Sequence, residues 1–368
     1  MYYDYPSWFW SLGVRSQQLR YQAWQWCALR NAAKLQKQVG FDVIHHITFG
    51  VWRCHSLILL LGPLSVFGPV GGGEAAPVRL RKSFPVWYQI RELMRDVANH
   101  IALLDPLLHT NFRRAALIPC KTPDTVRMIP AKYRRKCVVH GEIGAPPIAA
   151  PSPRQDKSEF RVLFAGNLIP LKGVHLALRA VAIAAVSIPN IRFTIAGSGP
   201  LEPWLRRLVA KLGIEERVVW LGKIAQSELF ELYAQADVLL FPSLHDSSGN
   251  VVMESFSRGL PVICLDLGGP AQFVDAGCGR VVATSGRTEE QVSSDLAEAL
   301  CALAGDEVLH RELRKGALRK AEKFSWDAVI AGLYETISAL VGQRTGTAHA
   351  CCKNPRARNC KAAQGGRI

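Results

Sequence analysis

Three side chains in this 368-residue sequence have types and spacing suited to a phosphate-bearing substrate: Lys172, Asp246 and Glu254. Lys172 closes the run Gly166-Asn167-Leu168-Ile169-Pro170-Leu171-Lys172-Gly173, which lies between a short apolar run and an Ala-rich one. A glycine-flanked turn entering a helix leaves backbone N–H groups free, and the helix dipole favours an anion there. The ammonium adds a full positive charge at the same place. The order GxxxxGK[ST] is missing, so this is not a Walker loop. Asp246 and Glu254 stand eight residues apart in Asp246-Ser247-Ser248-Gly249-Asn250-Val251-Val252-Met253-Glu254. The first falls in a loop and the second inside the helix that follows. A carboxylate can accept paired ribose hydroxyls, and amides at the helix start can hold phosphate or sugar oxygens. Taken singly, each motif also fits a solvated lysine or an acidic helix cap.

The elements around these residues alternate. Strands are expected at Arg161–Ala165, Ile191–Ala196, Val218–Gly222, Val238–Pro242 and Pro261–Leu265. Helices are expected at Gly173–Ser187, Glu202–Leu212, Ser227–Gln235 and Val251–Arg258. Such alternation with short turns predicts βαβ units and a parallel sheet whose strand-end loops share one edge, where ligands bind. Before this region the pattern is less regular. It predicts a helix over Ser16–Gln38, strands at Phe41–Ile47 and Leu64–Phe67, a helix at Val86–Leu104 and a polar, basic stretch to Val139. Four prolines between Pro146 and Lys157 suggest a linker. Two further helices follow, at Glu307–Lys323 and Trp326–Val341. The organisation read from this is an N-terminal domain over 1–150, a C-terminal domain over 151–342 and a disordered tail over 343–368.

Composition narrows the function classes. Residues 1–150 hold 19 Lys/Arg against 8 Asp/Glu, residues 151–342 hold 20 against 22, and residues 343–368 hold 6 against none. A nucleic-acid binder would not leave its largest segment slightly acidic, and no recognition motif supports one. An anionic partner for the first part, such as a membrane surface or a phosphate-bearing substrate, fits the asymmetry. Ten scattered cysteines without paired CxxC spacing argue against a structural zinc site and for a reducing, cytoplasmic setting. No run reaches the roughly 18 apolar residues that a spanning helix needs.

From Arg161 to about Val282 the sequence resembles the family-4 glycosyltransferases of the GT-B architecture. The resemblance rests on the strand–GxLxPxKG loop, on Ile195-Ala196-Gly197-Ser198-Gly199-Pro200 and on Leu221-Gly222. It rests also on Ala236-Asp237-Val238-Leu239-Leu240-Phe241-Pro242-Ser243, on the carboxylate pair and on Gly259-Leu260-Pro261-Val262-Ile263. A weaker match in the first part comprises the His45-His46 strand, Gly68-Pro69-Val70-Gly71-Gly72-Gly73-Glu74 and Lys121-Thr122-Pro123-Asp124-Thr125. These look like bacterial members that build surface polysaccharides.

The resemblance implies an α/β fold of two Rossmann-like domains facing a cleft. It implies sugar transfer from a nucleotide-sugar, UDP- or GDP-linked, to a glycan or lipid-diphosphate acceptor, with retention and with neither metal nor separate cofactor. Carried over by position, Lys172 would hold the donor diphosphate, Glu254 the ribose and Asp246 the transferred sugar. Gly166, Asn167, Gly197, Gly222, Lys223, Ile224, Gly249, Asn250 and Val251 would line the donor site. His46, Gly71, Gly72 and Gly73 would face the acceptor. The family often has Arg where Asn167 stands and Glu where Asp246 stands. Its N-terminal domain opens with strands that have no counterpart before Phe41, which leads to the expectation of an incomplete first domain. An inactive nucleotide-sugar-binding remnant and a GT-B sugar-nucleotide epimerase are the alternatives. Peripheral attachment to the inner face of the cell membrane is compatible with the basic first part.

Overall fold

A computed structural model describes residues 17–62, 64–149 and 158–352, with side chains described between residues 21 and 342. The N-terminal part contains α1 (Gln17–Val39), β1 (Val43–His46), β2 (Leu64–Phe67), α2 (Val86–Ala102) and α3 (Pro106–Arg114), followed by β3 (Ala115–Cys120), α4 (Pro123–Met128) and β4 (Cys137–Val139). Its four strands pair in parallel in the order β1-β2-β3-β4. The order runs one way with no reversal. The polar, basic stretch expected from Leu104 to Val139 is corrected here: it holds α3, β3, α4 and β4. Thr122 caps α4 by accepting the N–H of Thr125, with Pro123 in the first turn, where a missing N–H costs nothing.

The C-terminal part alternates β5 (Phe160–Ala165), α5 (Val174–Ala184), β6 (Ile191–Ala196), α6 (Glu202–Leu212), β7 (Val218–Gly222), α7 (Gln226–Gln235), β8 (Val238–Phe241), α8 (Asn250–Phe256), β9 (Val262–Leu265), α9 (Pro270–Phe273) and β10 (Gly279–Val282). All six strands are parallel, in the order β10-β9-β8-β5-β6-β7. The chain runs outward from β5 to β7, then returns to the other side of β5 to lay down β8. Neighbouring loops after β5 and β8 therefore diverge, opening a crevice at the switch point. Buried Val, Ile, Leu and Phe fill the strands on both faces, as a helix-covered parallel sheet requires.

Helices α10 (Glu289–Gly305), α11 (Glu307–Lys323) and α12 (Trp326–Cys352) complete the described residues. Leu333 and Ile337 of α12 pack on Leu64, Val66 and Leu117, so the last helix returns to the first sheet. Because α12 continues to Cys352, the tail boundary expected at 342 falls inside a helix, and tail residues 353–368 lie outside the described residues. The linker call also falls partly outside them, at 150–157. Its described start runs along the C-terminal part, where Ala149 N–H donates to Ser257 O at 3.3 Å.

Candidate donor site at the sheet switch point

The loop after β5 carries Lys172 and the loop after β8 carries Asp246, on the two sides of the switch point. Their side chains meet in an ion pair between Lys172 Nζ and Asp246 Oδ2. Asp246 Oδ1 accepts the N–H of Ser248 at 3.0 Å and of Gly249 at 2.9 Å. Gly249 (φ 75°) occupies the left-handed region just before α8. A carboxylate there complements the positive helix end. Burial alone would raise the Asp246 pKa, but Lys172 and the two amides outweigh it and hold the group below the usual carboxylate range. Lys172 Nζ also lies 5.2 Å from the centroid of the Phe241 ring, a cation–π contact.

Glu254, a turn further into α8, accepts the Tyr233 hydroxyl at 3.0 Å. Burial, the carboxylate charge and the hydrogen bond all raise the Tyr233 pKa, keeping it a donor. Gly166 and Gly197 approach so closely that a Cβ on Gly197 would lie 1.9 Å from Gly166 O. That contact holds the loops after β5 and β6 together. Asn167 is exposed between them, and Gly222, Lys223 and Ile224 follow β7 on the same edge. Asn250 and Val251 open α8. Thus the loops after β5, β6, β7 and β8 gather the residues expected at the donor site on one sheet edge.

The glycine loop of the N-terminal part reaches the same place. A Cβ on Gly71 would lie 3.1 Å from Ser247 Cβ. Buried Glu74 shapes this loop by accepting Gly72 N–H at 3.0 Å, Thr125 Oγ at 3.1 Å and the Thr122 hydroxyl. Gly73 N–H donates to Thr125 Oγ at 3.2 Å. His46 ends β1 buried, tilted on Phe67 at 5.5 Å, and its Nε2 has no hydrogen-bond partner among the described residues. Burial and its neighbour His45 push its pKa down to about 4, so it is neutral. His45 turns the other way, to Gly68 O at 2.7 Å and Tyr334 OH at 3.3 Å.

Of the further residues at the site, Lys121 belongs to the Lys121–Thr125 segment, whereas Arg95, Glu142 and His245 have no signature in the sequence. Arg95 of α2 donates from Nη1 to His245 Nδ1 at 3.1 Å, next to Asp246. Burial and the Arg95 charge lower the His245 pKa to about 4, which fits an imidazole accepting at Nδ1. Lys121 pairs with Glu142, whose Oε1 also accepts Ser248 Oγ at 2.6 Å. These pairs span 150 and 106 residues of chain. No local pattern could announce them.

Residues 148–317 match the family model described as Glycosyl transferases group 1. The D-inositol 3-phosphate glycosyltransferase of Nocardia farcinica is 35% identical over 186 residues, covering 48% of this chain and 40% of that protein. The protein of the same name from Streptomyces coelicolor is 31% identical over 189 residues, covering 49% and 40%. The chain thus spans about two fifths of these relatives' length. Among solved structures, Anabaena Alr3699/HepE in complex with UDP and glucose aligns with a TM-score of 0.60 at 18% identity, covering 86% of this chain and 81% of that one. The lipopolysaccharide outer core galactosyltransferase WaaB, in its apo form, aligns with a TM-score of 0.57 at 16% identity, covering 86% and 80%. The chain accordingly has the GT-B fold, and its residues 148–317 are similar to the group 1 glycosyl transferases.

Proposed function

We propose that this chain transfers a sugar from a nucleotide-sugar to a glycan or lipid-linked acceptor hydroxyl, with retention at the anomeric carbon, in polysaccharide biosynthesis. The observation that carries the reading is the Lys172–Asp246 pair over the switch point, backed by the Ser248 and Gly249 amides. In this reading the donor diphosphate lies against Lys172 and the start of α8, and Glu254 accepts the ribose hydroxyls. Asp246 faces the sugar. The bond from the anomeric carbon to the phosphate oxygen breaks and its electron pair stays on the diphosphate. The acceptor oxygen adds to the same face of the sugar and passes its proton to the departing phosphate. Lys172 and the Asn250 and Val251 amides at the start of α8 offset the charge that grows on the diphosphate, the group of interactions that usually contributes most to such a step. Lys172 would act without the arginine that relatives often have at position 167, so the second cation would have to come from elsewhere.

The test is nucleotide release from UDP-, GDP- and ADP-sugars, with and without lipid-diphosphate acceptors, alongside calorimetry with the free nucleoside diphosphates. Binding of one diphosphate that Lys172→Met weakens would support the reading. A protein that binds none of them, or binds equally well without Lys172, would overturn it.

A further inference from the structure

Helix α2 turns the usual arrangement of an amphipathic helix inside out. A helix on the surface of a water-soluble domain shows charge to water and apolar residues to the core. In α2 the large apolar residues that face outward are Val86, Trp87, Ile90, Leu93, Met94, Val97 and Ile101, between 49 and 71% exposed. Ile90, Met94, Val97 and Ile101 fall at positions i, i+4, i+7 and i+11, a single stripe along the helix. Leu104, 80% exposed, prolongs it past the C-terminus. The inward face carries polar residues beside the core residue Tyr88: Glu92 and Asn99 are buried, and Arg95 reaches His245. A contiguous apolar surface of this kind marks a contact with another apolar phase.

Charge complementarity selects the occupant. Residues 78–114 carry seven Lys/Arg and three Asp/Glu. Arg79, Lys82, Arg91 and Arg113 are exposed. All three carboxylates are engaged: Glu92 with Arg95, Asp96 with Arg81 and Asp105 with His55. The apolar stripe is therefore accompanied by exposed cations, and each nearby carboxylate already has a hydrogen-bond or ion-pair partner. Apolar burial together with basic residues is the combination that holds a helix in the plane of an anionic bilayer. Among the described residues no helix is long and apolar enough to cross a membrane.

We propose that α2 docks the protein on an anionic lipid bilayer, its outward stripe in the interface and its inward face against the donor site. The segment leading into α2 is pinned to the C-terminal part. Ser83 N–H donates to Glu289 Oε1 at 2.9 Å, and Arg179 Nη1 donates to Glu289 Oε2 at 2.8 Å. Docking would thus hold both halves at a fixed height above the headgroups, with Arg95 linking the lipid-facing helix to the loop of Asp246. This deepens the transferase reading by making the acceptor lipid-borne, but its test needs no turnover.

Co-sedimentation of the full chain with phosphatidylcholine vesicles, with and without phosphatidylglycerol, reads the binding directly. The anionic vesicles should bind it and the neutral ones much less. Leu93→Glu and Val97→Glu should each lower the partition coefficient at least about tenfold. Both positions are exposed, so the fold is not at stake. Arg91→Gln should lower it a few-fold and flatten its salt dependence. Val186→Glu, 85% exposed on the C-terminal part, should change nothing. Binding that survives both glutamate substitutions would assign attachment to another basic segment and overturn the proposal. So would a dimer, detected by sedimentation without vesicles, that the same substitutions dissolve. Nucleotide binding measured without lipid tests the transferase reading separately.

Discussion

Asp246 holds Lys172 with one carboxylate oxygen and the start of α8 with the other. A single side chain thereby joins the two loops of the switch point and neutralises the cation proposed to receive the donor phosphate. An incoming diphosphate must draw the ammonium away from Asp246. Replacing Asp246 by Asn removes that competition but also removes the charge facing the sugar. Turnover should therefore fall by about 100-fold or more. Affinity for the free nucleoside diphosphate should rise several-fold, by roughly the strength of one partly exposed ion pair. Calorimetry and initial rates separate the two effects, and a loss of both together would contradict this division.

Lys172→Met should reduce turnover by roughly 100-fold or more, the usual cost of losing one group that stabilises the developing charge. Asn167→Ala should cost under about tenfold, because its exposed amide offers a dipole that water can replace. Initial-rate measurements at saturating donor, with circular dichroism to verify folding, decide between them. Equal losses would remove the role assigned to Lys172.

The ribose role of Glu254 predicts a different signature. Glu254→Gln should weaken nucleoside diphosphate binding by about tenfold or more, the cost of losing charge-assisted hydrogen bonds worth roughly 1.5–3 kcal/mol each. Tyr233→Phe should leave the carboxylate in place and act mainly on orientation, with a small effect on affinity. A deoxyribose nucleotide should bind the wild type as poorly as the ribose form binds Glu254→Gln. Calorimetry on the four combinations closes a double-mutant-style cycle.

The legibility of the chain in sequence follows from where its pattern is local. The ranges of β6 (Ile191–Ala196), α6 (Glu202–Leu212) and α11 (Glu307–Lys323) coincide with the expected ones because each is a periodic run closed by a Gly, a cap or a turn. Gly213 (φ 66°) ends α6, and Asp306 caps α11 through Leu309 N–H at 2.8 Å. The strand β3 (Ala115–Cys120) escaped because Pro119 argues against a strand interior. Pro119 is tolerated here: its missing N–H costs one donor, while its carbonyl still accepts Val70 N–H at 2.9 Å. Lys172, Asp246 and Glu254 were legible because they sit at fixed offsets in strand–loop–helix units. Arg95, Glu142 and His245 were not, because tertiary packing alone brings them to the site.

The three histidines His46, His175 and His245 all have their pKa lowered to about 4, by burial first. In the unfolded chain each would titrate near 6.5. Between these values the unfolded state binds more protons, so stability rises with pH there and falls as the pH drops below about 6.5. Each histidine contributes a slope of about 1.4 kcal/mol per pH unit in that window. Denaturation midpoints should therefore decline between neutrality and pH 5 and level above 7. His175→Asn should flatten the decline by about one histidine's share. An unchanged slope in that variant would mean His175 is protonated in the folded protein.

The pin between the two halves gives the last prediction. Glu289, though 3% exposed, accepts Ser83 N–H, the Ser83 hydroxyl and Arg179, which also donates from Nη2 to Ser83 Oγ at 3.0 Å. Burial alone would raise the Glu289 pKa. The Ser83 bonds and Arg179 more than offset this, and the net shift is downward. For a depressed carboxylate the stabilisation is complete above the unfolded glutamate pKa and is lost as the pH falls through the lower folded value. Glu289→Gln keeps the shape and removes the charge, so it should cost about 1.5–3 kcal/mol at neutral pH, the range for a charge-assisted bond. The loss should be local at first. Amide exchange of residues 78–90 should accelerate, because the segment leading into α2 is then held less firmly. Nucleoside diphosphate affinity should stay the same, since the Lys172–Asp246 pair lies elsewhere. Ser83→Ala should produce the same exchange pattern in milder form, as the backbone N–H still reaches Glu289. Exchange that accelerates across β5 to β8 instead would show that Glu289 supports the C-terminal core and not the junction between the halves.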